Sequence, residues 1–264
     1  MNNLSAPAPQ SRSSPGRFAF TQLDLVVILS VLAILGLVMV SAMAATSERS
    51  KRAICQDNLR RLAIGVTVYA GNNNGNLFSA RTVAPGPFPT VQIALDPVEA
   101  TKAAQVGLSL ATNGVWTCPG RPGFPTIEPA FPQYNIGYQY FGGMRFWSTI
   151  GYSGPSRSPT NLITAQPHWA LAADAVIRIN GAWGGVDRDA AYAHLPPHHA
   201  ENSLVPQGGN QAFVDGSVQW VQAERMFFLS SWSSTTARQA YWYQDPKDFP
   251  TALKNLLPNL RLQP

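Results

Sequence analysis

Residues 20–45, FTQLDLVVILSVLAILGLVMVSAMAA, set a continuous apolar run behind a single carboxylate, Asp24. Leu25 to Ala45 is 21 residues with neither charge nor proline. As a helix rising about 1.5 Å per residue it would span roughly 30 Å, the hydrocarbon thickness of a bilayer. A carboxylate at the lip of such a segment is costly and is therefore a functional candidate. Beyond it the pattern turns from continuous to periodic. Ile54, Leu59, Leu62, Val66 and Tyr69 recur at spacings near three and four. That stripe predicts a helix continuing to about Tyr69 with one face packed on a sheet. Glu48 and Arg52, at i and i+4, add a surface pair worth a few tenths of a kcal/mol. Gly71-Asn72-Asn73-Asn74-Gly75-Asn76 ends the helix, because Gly and Asn accept positive φ at a C-terminal cap. The loop lacks carboxylates and is a poor calcium loop.

Downstream, prolines from Pro85 to Pro132 remove ladder donors and block long helices, leaving Pro97–Leu110 as the helical candidate. Tyr134–Phe141 and Trp169–Ile179 read as strands, with Asp174 closing the core run of the second. In Gln211–Trp220, Asp215-Gly216 between alternating apolar residues predicts a hairpin with a two-residue turn. The role of Asp215 and Gly216 is then to set strand register. The aromatic tail, Met226–Leu229 and Trp232 through Pro246, covers the sheet or could stack on sugar.

The leader changes the picture. Residues 1–19 are polar, rich in Ser, Pro and Asn, with Arg12 and Arg17 and no acid. The apolar run behind them exceeds the usual core of a cleaved signal peptide. Ala19-Phe20-Thr21-Gln22-Leu23-Asp24-Leu25 resembles the processing site of prepilin-type proteins, the type IV pilins and pseudopilins of type II secretion. The resemblance implies cleavage between Ala19 and Phe20 and methylation of the new amine on Phe20. It also implies that Asp24 pairs with that amine on a neighbouring subunit. Ala19 stands where the family has glycine, and Asp24 where it has glutamate. Further along, Cys55-Gln56-Asp57-Asn58-Leu59-Arg60, Tyr69-Ala70, Trp116-Thr117-Cys118-Pro119 and Gly209-Asn210 with Asp215-Gly216 resemble a pseudopilin-like subfamily. Its C-terminal processing-associated segment places a histidine close ahead of Asp-Gly. Here fifteen residues separate His199 from Asp215, which implies an insertion.

The fold class so implied is α+β and pilin-like. A long N-terminal helix, with a membrane half and an amphipathic half, packs on an antiparallel β-sheet domain with long loops. Residues 1–19 are a cleaved leader, 20–72 the transmembrane and stalk helix, and 73–264 an extracytoplasmic globular domain. The expected localisation is the bacterial inner membrane, single-pass, with possible extraction into a filament. Counting Arg49, Lys51, Arg52, Arg60 and Arg61 after the run against Arg12 and Arg17 before it would place the domain inside. The processing motif, the cysteine pair and the resemblance favour export instead. The function implied is a structural subunit of a type II secretion or type IV pilus-like filament. Its partners would be other subunits, a prepilin peptidase, an assembly platform and the inner membrane. A membrane-anchored binding protein that never polymerises, and an anchored metal-dependent hydrolase, are the alternatives.

Charged residues make up 12% of the chain, against 21 glycines and 22 prolines, a loop-rich composition. The net charge of +5 is spread without a long basic run, so no nucleic-acid partner is predicted. The two cysteines, Cys55 and Cys118, fit an exported protein with one disulfide; two separate buried thiols are the alternative. His194, His198 and His199 lie near Asp187, Asp189 and Glu201. An enzyme would use such groups as metal ligands or an acid–base pair. Yet there is no HExxH, GxSxG or phosphate-binding glycine loop, and Pro196-Pro197 forbids a helix presenting His194 and His198 together. The segment reads as a surface loop, no catalytic residue is assigned, and no cofactor is expected beyond a weak structural calcium site on Asp187 or Asp189.

Overall fold

Thr21 and Asp24 begin the first helix by capping each other. The Asp24 amide donates to Thr21 Oγ1 at 3.2 Å, and the Thr21 amide donates to Asp24 Oδ2 at 3.0 Å. This reciprocal box satisfies two of the donors a helix start leaves without partners. The Thr21 amide and hydroxyl hold the Asp24 carboxyl below its ordinary pKa. The helix, α1, runs Gln22–Gly71. The computed structural model describes residues 21–83, 90–111, 114–121, 123–184, 196–199, 203–233 and 236–262, with backbone alone at 36–45. The processing pair Ala19 and Phe20, and the proposed leader, lie outside the described residues. Two compact units divide the chain, Met1–Thr46 and Ser47–Pro264.

In the first unit the apolar side chains from Leu23 to Leu35 are exposed. Among the described residues no helix is long and apolar enough to cross a membrane. This corrects the expected transmembrane helix, and with it the single-pass inner-membrane placement. The described apolar side chains, Leu23–Leu35, cover roughly 20 Å of helix axis, short of the roughly 30 Å of a bilayer core. The rest of α1 with described side chains carries Glu48, Arg49, Lys51, Arg52, Asp57, Arg60 and Arg61 and belongs to a packed domain.

The second unit is built mostly from short antiparallel strands. In chain order they are β1 (Arg81–Thr82), β2 (Thr90–Val91), β3 (Ala94–Leu95), β4 (Thr126–Glu128), β5 (Gln133–Asn135), β6 (Tyr138–Tyr140) and β7 (Phe146–Thr149). Then come β8 (Tyr152–Pro155), β9 (Ala170–Asp174), β10 (Val176–Ile179), β11 (Gly208–Phe213), β12 (Val218–Gln222), β13 (Phe227–Ser230) and β14 (Arg238–Trp242). Short helices α2 (Pro97–Ala104), α3 (Thr251–Lys254) and α4 (Leu257–Leu260) complete it. Among the described residues the strands form five small sheets, in orders β1-β2, β10-β14-β13, β12-β11-β9-β6, β3-β5-β4 and β7-β8. The pilin-like fold class is corrected at its part-membrane helix, and the antiparallel domain expected behind it is divided among small sheets. Prolines, and register shifts at Ala212/Phe213 and Phe228/Ser230, cut the ladders short.

The four-stranded sheet is the centre. β6, β9 and β11 are buried at every residue, which is why Ala170–Asp174 shows no polar–apolar alternation. One face of the sheet meets α1 through Cys55, Leu59, Leu62, Ala63 and Val66, packed with Tyr138, Tyr140, Leu171, Ala172 and Ala212. The other face meets a second core containing Phe141, Trp147, Ala173, Val176, Phe228 and Trp242. The helix ends as its residues predict, with Asn74 at φ 55° and Gly75 at φ 79°. Two other local expectations change. The helix expected over Pro97–Leu110 stops at Ala104, where Val106 and Gly107 turn back onto Ala103 and Ala104. The hairpin loop has three residues, not two. Gly216 N–H donates to Phe213 O and Phe213 N–H to Ser217 O, and only Gly216 is left-handed, at φ 81°. This is a turn followed by a glycine bulge, and Asp215 Oδ1 steadies it by accepting from the Ser217 amide at 2.9 Å.

Candidate functional site

Four segments far apart in sequence meet where α1 crosses the edge of the central sheet. α1 supplies Glu48, Arg52, Cys55 and Asn58. The turn at 116–121 supplies Cys118, the end of β9 supplies Asp174, and the Pro197-His198 segment supplies an imidazole. Two glycines allow the approach. A Cβ on Gly120 would stand 2.8 Å from Pro197 Cβ, and one on Gly209 would stand 3.0 Å from Asp174 Cβ.

His198 is 2% exposed, so the expectation of a surface loop is corrected at this residue. The polar sequence around it hides an inward-facing ring. Its backbone is left-handed, φ 61°, an uncommon state for a residue with a Cβ that must be held by its surroundings. His198 Nδ1 lies 2.6 Å from Glu48 Oε1. Nε2 lies 3.2 Å from Asp174 Oδ2, but without the alignment of a hydrogen bond. Trp220 meets the ring edge-on at 5.5 Å, and the Arg52 guanidinium lies 4.0 Å over Trp220. Arg52 Nε also pairs with Glu48 at 3.2 Å. Burial works against charge on His198. The adjoining Asp174 carboxylate, the Cys118 sulfur and the Glu48 hydrogen bond more than offset it, raising the imidazole pKa.

Asp174 is fully enclosed. Its Oδ2 accepts from the Asn210 amide at 2.6 Å and from Asn210 Nδ2 at 3.1 Å, while Oδ1 has no partner. Asn210 Nδ2 also donates to Arg52 O at 3.2 Å, tying β11 to α1. Cys55 and Cys118 are brought together as free thiols, Sγ to Sγ 3.2 Å. Their contact and burial, with the nearby Asp174 charge, push the Cys55 thiol well above its ordinary pKa. Asn58 Nδ2 donates to Thr117 O at 2.9 Å and to the Tyr138 hydroxyl at 3.1 Å, holding the Cys118 turn on the helix. The donor atoms of Cys55, Asp174 and His198 all lie within 4.8 Å of one another, a set able to hold a metal ion.

The other candidates are placed elsewhere. Asp215 and Gly216 sit in the hairpin turn, and Asp24 in the first turn of α1. The calcium candidates Asp187 and Asp189, with His194 and Glu201, lie outside the described residues. Sequence reasoning missed the meeting of His198 with Asp174, Glu48 and Cys55. A signal was present, because Cys55-x-x-Asn58, Trp116-x-Cys118 and Gly209-Asn210 were separate motifs that converge on this one place. No family model, curated protein or solved structure matches the chain.

Proposed function

We propose that the chain is a structural subunit, not an enzyme, that assembles with other copies through its N-terminal helix after processing between Ala19 and Phe20. The observation that carries this reading is the exposure of the first half of α1. Leu23, Leu25, Val26, Val27, Ile28, Leu29, Val31, Leu32, Ile34 and Leu35 are each at least 42% exposed. At 100° per residue they surround the helix and leave no polar face toward water. A helix apolar on every side is stable only when other apolar surface encloses it. Burying such a side chain fully is worth about 1.5–3 kcal/mol, so the half-exposed set withholds on the order of 10 kcal/mol until helices pack together. The resemblance of Ala19–Leu25 to prepilin-type processing sites supports the same reading. It gives Asp24 a second task, pairing with the amine of Phe20 on a neighbour, beside the cap it forms with Thr21. The hydrogen-bonded core of the second unit then serves to carry a rigid outer surface.

The test is the association state of the processed full chain by sedimentation velocity and electron microscopy. Ordered assemblies that dissolve in the double variant Leu29→Asp, Leu32→Asp are the expected result. A monomeric wild-type chain at tens of micromolar would sink the reading. Mass spectrometry of the N-terminus checks the processing step, with a methylated Phe20 expected.

A further inference from the structure

The polar cluster beneath α1 is arranged in two layers. Each inner group has one polar atom tied down and one left open. His198 Nδ1 faces Glu48, a carboxylate that can only accept, so Nδ1 carries a proton, while Nε2 has no aligned hydrogen-bond partner. Asp174 Oδ2 is held by two donors from Asn210, and Oδ1 is open. Ordinary buried polar groups do not stay open, because each unmet one costs about 1–3 kcal/mol. Here both open atoms, Nε2 and Oδ1, belong to residues 2% and 1% exposed. Nε2 lies 3.2 Å from Asp174 Oδ2 without hydrogen-bond alignment, close enough for one ion to bridge the two residues.

We infer that Cys55, Asp174 and His198 form a buried binding site for a zinc-type divalent cation. Spacing supports it. At metal–ligand distances of about 2.0–2.3 Å, donors in a tetrahedral zinc site stand roughly 3.3–3.8 Å apart. The measured separations are 3.2 Å for His198–Asp174 and under 4.8 Å throughout the triad. Charge supports it as well. One thiolate, one carboxylate and a neutral imidazole cancel a divalent ion, which is what a buried site requires. Sulfur and imidazole donors select zinc over calcium or magnesium, which take oxygen. The carboxylate behind the imidazole and the double donor behind Asp174 match the outer contacts that orient metal ligands. The left-handed backbone at His198 is then the cost of aiming Nε2 at the ion. Its three protein donors come from α1, β9 and the 196–199 segment, and all three residues are buried. It fastens the helix to the sheet.

The experiment is elemental analysis of the full chain purified without chelators, with cobalt(II) substitution and thermal melting. We expect about one zinc per chain, a sulfur-to-cobalt charge-transfer band, and a melting midpoint that falls on chelation and returns with zinc. Cys55→Ser should abolish that band. Because this variant could fail to fold, Glu48→Gln gives an independent reading: zinc affinity falls about 10–100-fold while the circular dichroism spectrum is kept. A chain without stoichiometric metal whose melting ignores added zinc overturns the site. So does a native chain whose intact mass shows Cys55 and Cys118 joined as a disulfide.

Discussion

Two stretches of the same helix behave in opposite ways. From Leu23 to Leu35, α1 is apolar on all sides and exposed on all sides. From Cys55 to Tyr69 an apolar stripe is shut completely, with Cys55, Leu59, Leu62 and Val66 at 0% exposure, and the outer face is polar apart from Ile64 and Val68. The difference teaches that periodicity, more than hydrophobicity, decides whether a helix finds its partner within its own chain. A stripe near 3.6-residue spacing has a direction, and a sheet face can cover it. A continuous apolar surface has none, so one sheet could cover only part of it. The greasier half is therefore the one left open.

The comparison can be broken most forcefully by placing a charge in each half. Leu59→Asp buries an unpaired carboxylate between α1 and the sheet and should unfold the second unit, with loss of the cooperative thermal transition. Leu29→Asp should leave that transition within about 0.5 kcal/mol of wild type while abolishing assembly. Equal destabilisation by the two would erase the distinction. A milder probe of the closed stripe is Leu62→Ala, expected to cost about 2–5 kcal/mol by denaturant titration through lost contacts and a residual cavity. Asp24→Ala removes the carboxylate half of the capping box and should cost about 1 kcal/mol of local stability. Hydrogen exchange would read that at the first amides of α1, with no change in the second unit's midpoint. The smallest effect belongs to the polar back of the second stretch. Arg61 pairs with Asp57 at 2.9 Å while 68% and 50% exposed, and Arg61→Ala should change stability by less than about 0.5 kcal/mol.

The stripe itself was largely legible. Leu59, Leu62, Val66 and Tyr69 are buried as their spacing predicts, but Ile54 is 47% exposed and Cys55 takes its place. One residue is 100° of helix, and at the start of a stripe there is no earlier repeat to fix the phase. The Asp-Gly hairpin was legible in position but not in loop length, because a glycine bulge and a two-residue turn share the same dipeptide. His198 was read as a surface residue because proline and polar neighbours dominate its surroundings in sequence. Its partners Glu48, Cys55, Cys118 and Asp174 are supplied by strand order and by close approach at Gly120 and Gly209. No local pattern encodes those.

What the sequence determined by itself is local and periodic: the helical run ending at Gly71-Asn72, the buried face from Leu59 to Tyr69, and the hairpin at Asp215-Gly216. These follow from φ preferences and side-chain spacing, which act within a few residues. The tertiary structure alone decided that the strands divide among five sheets and that two cysteines, a histidine and an aspartate share one buried pocket of polar atoms. Those outcomes depend on which surfaces meet after the chain has closed loops of tens of residues. The free energy of such meetings resides in burial and unmet hydrogen bonds, not in any short stretch of residues.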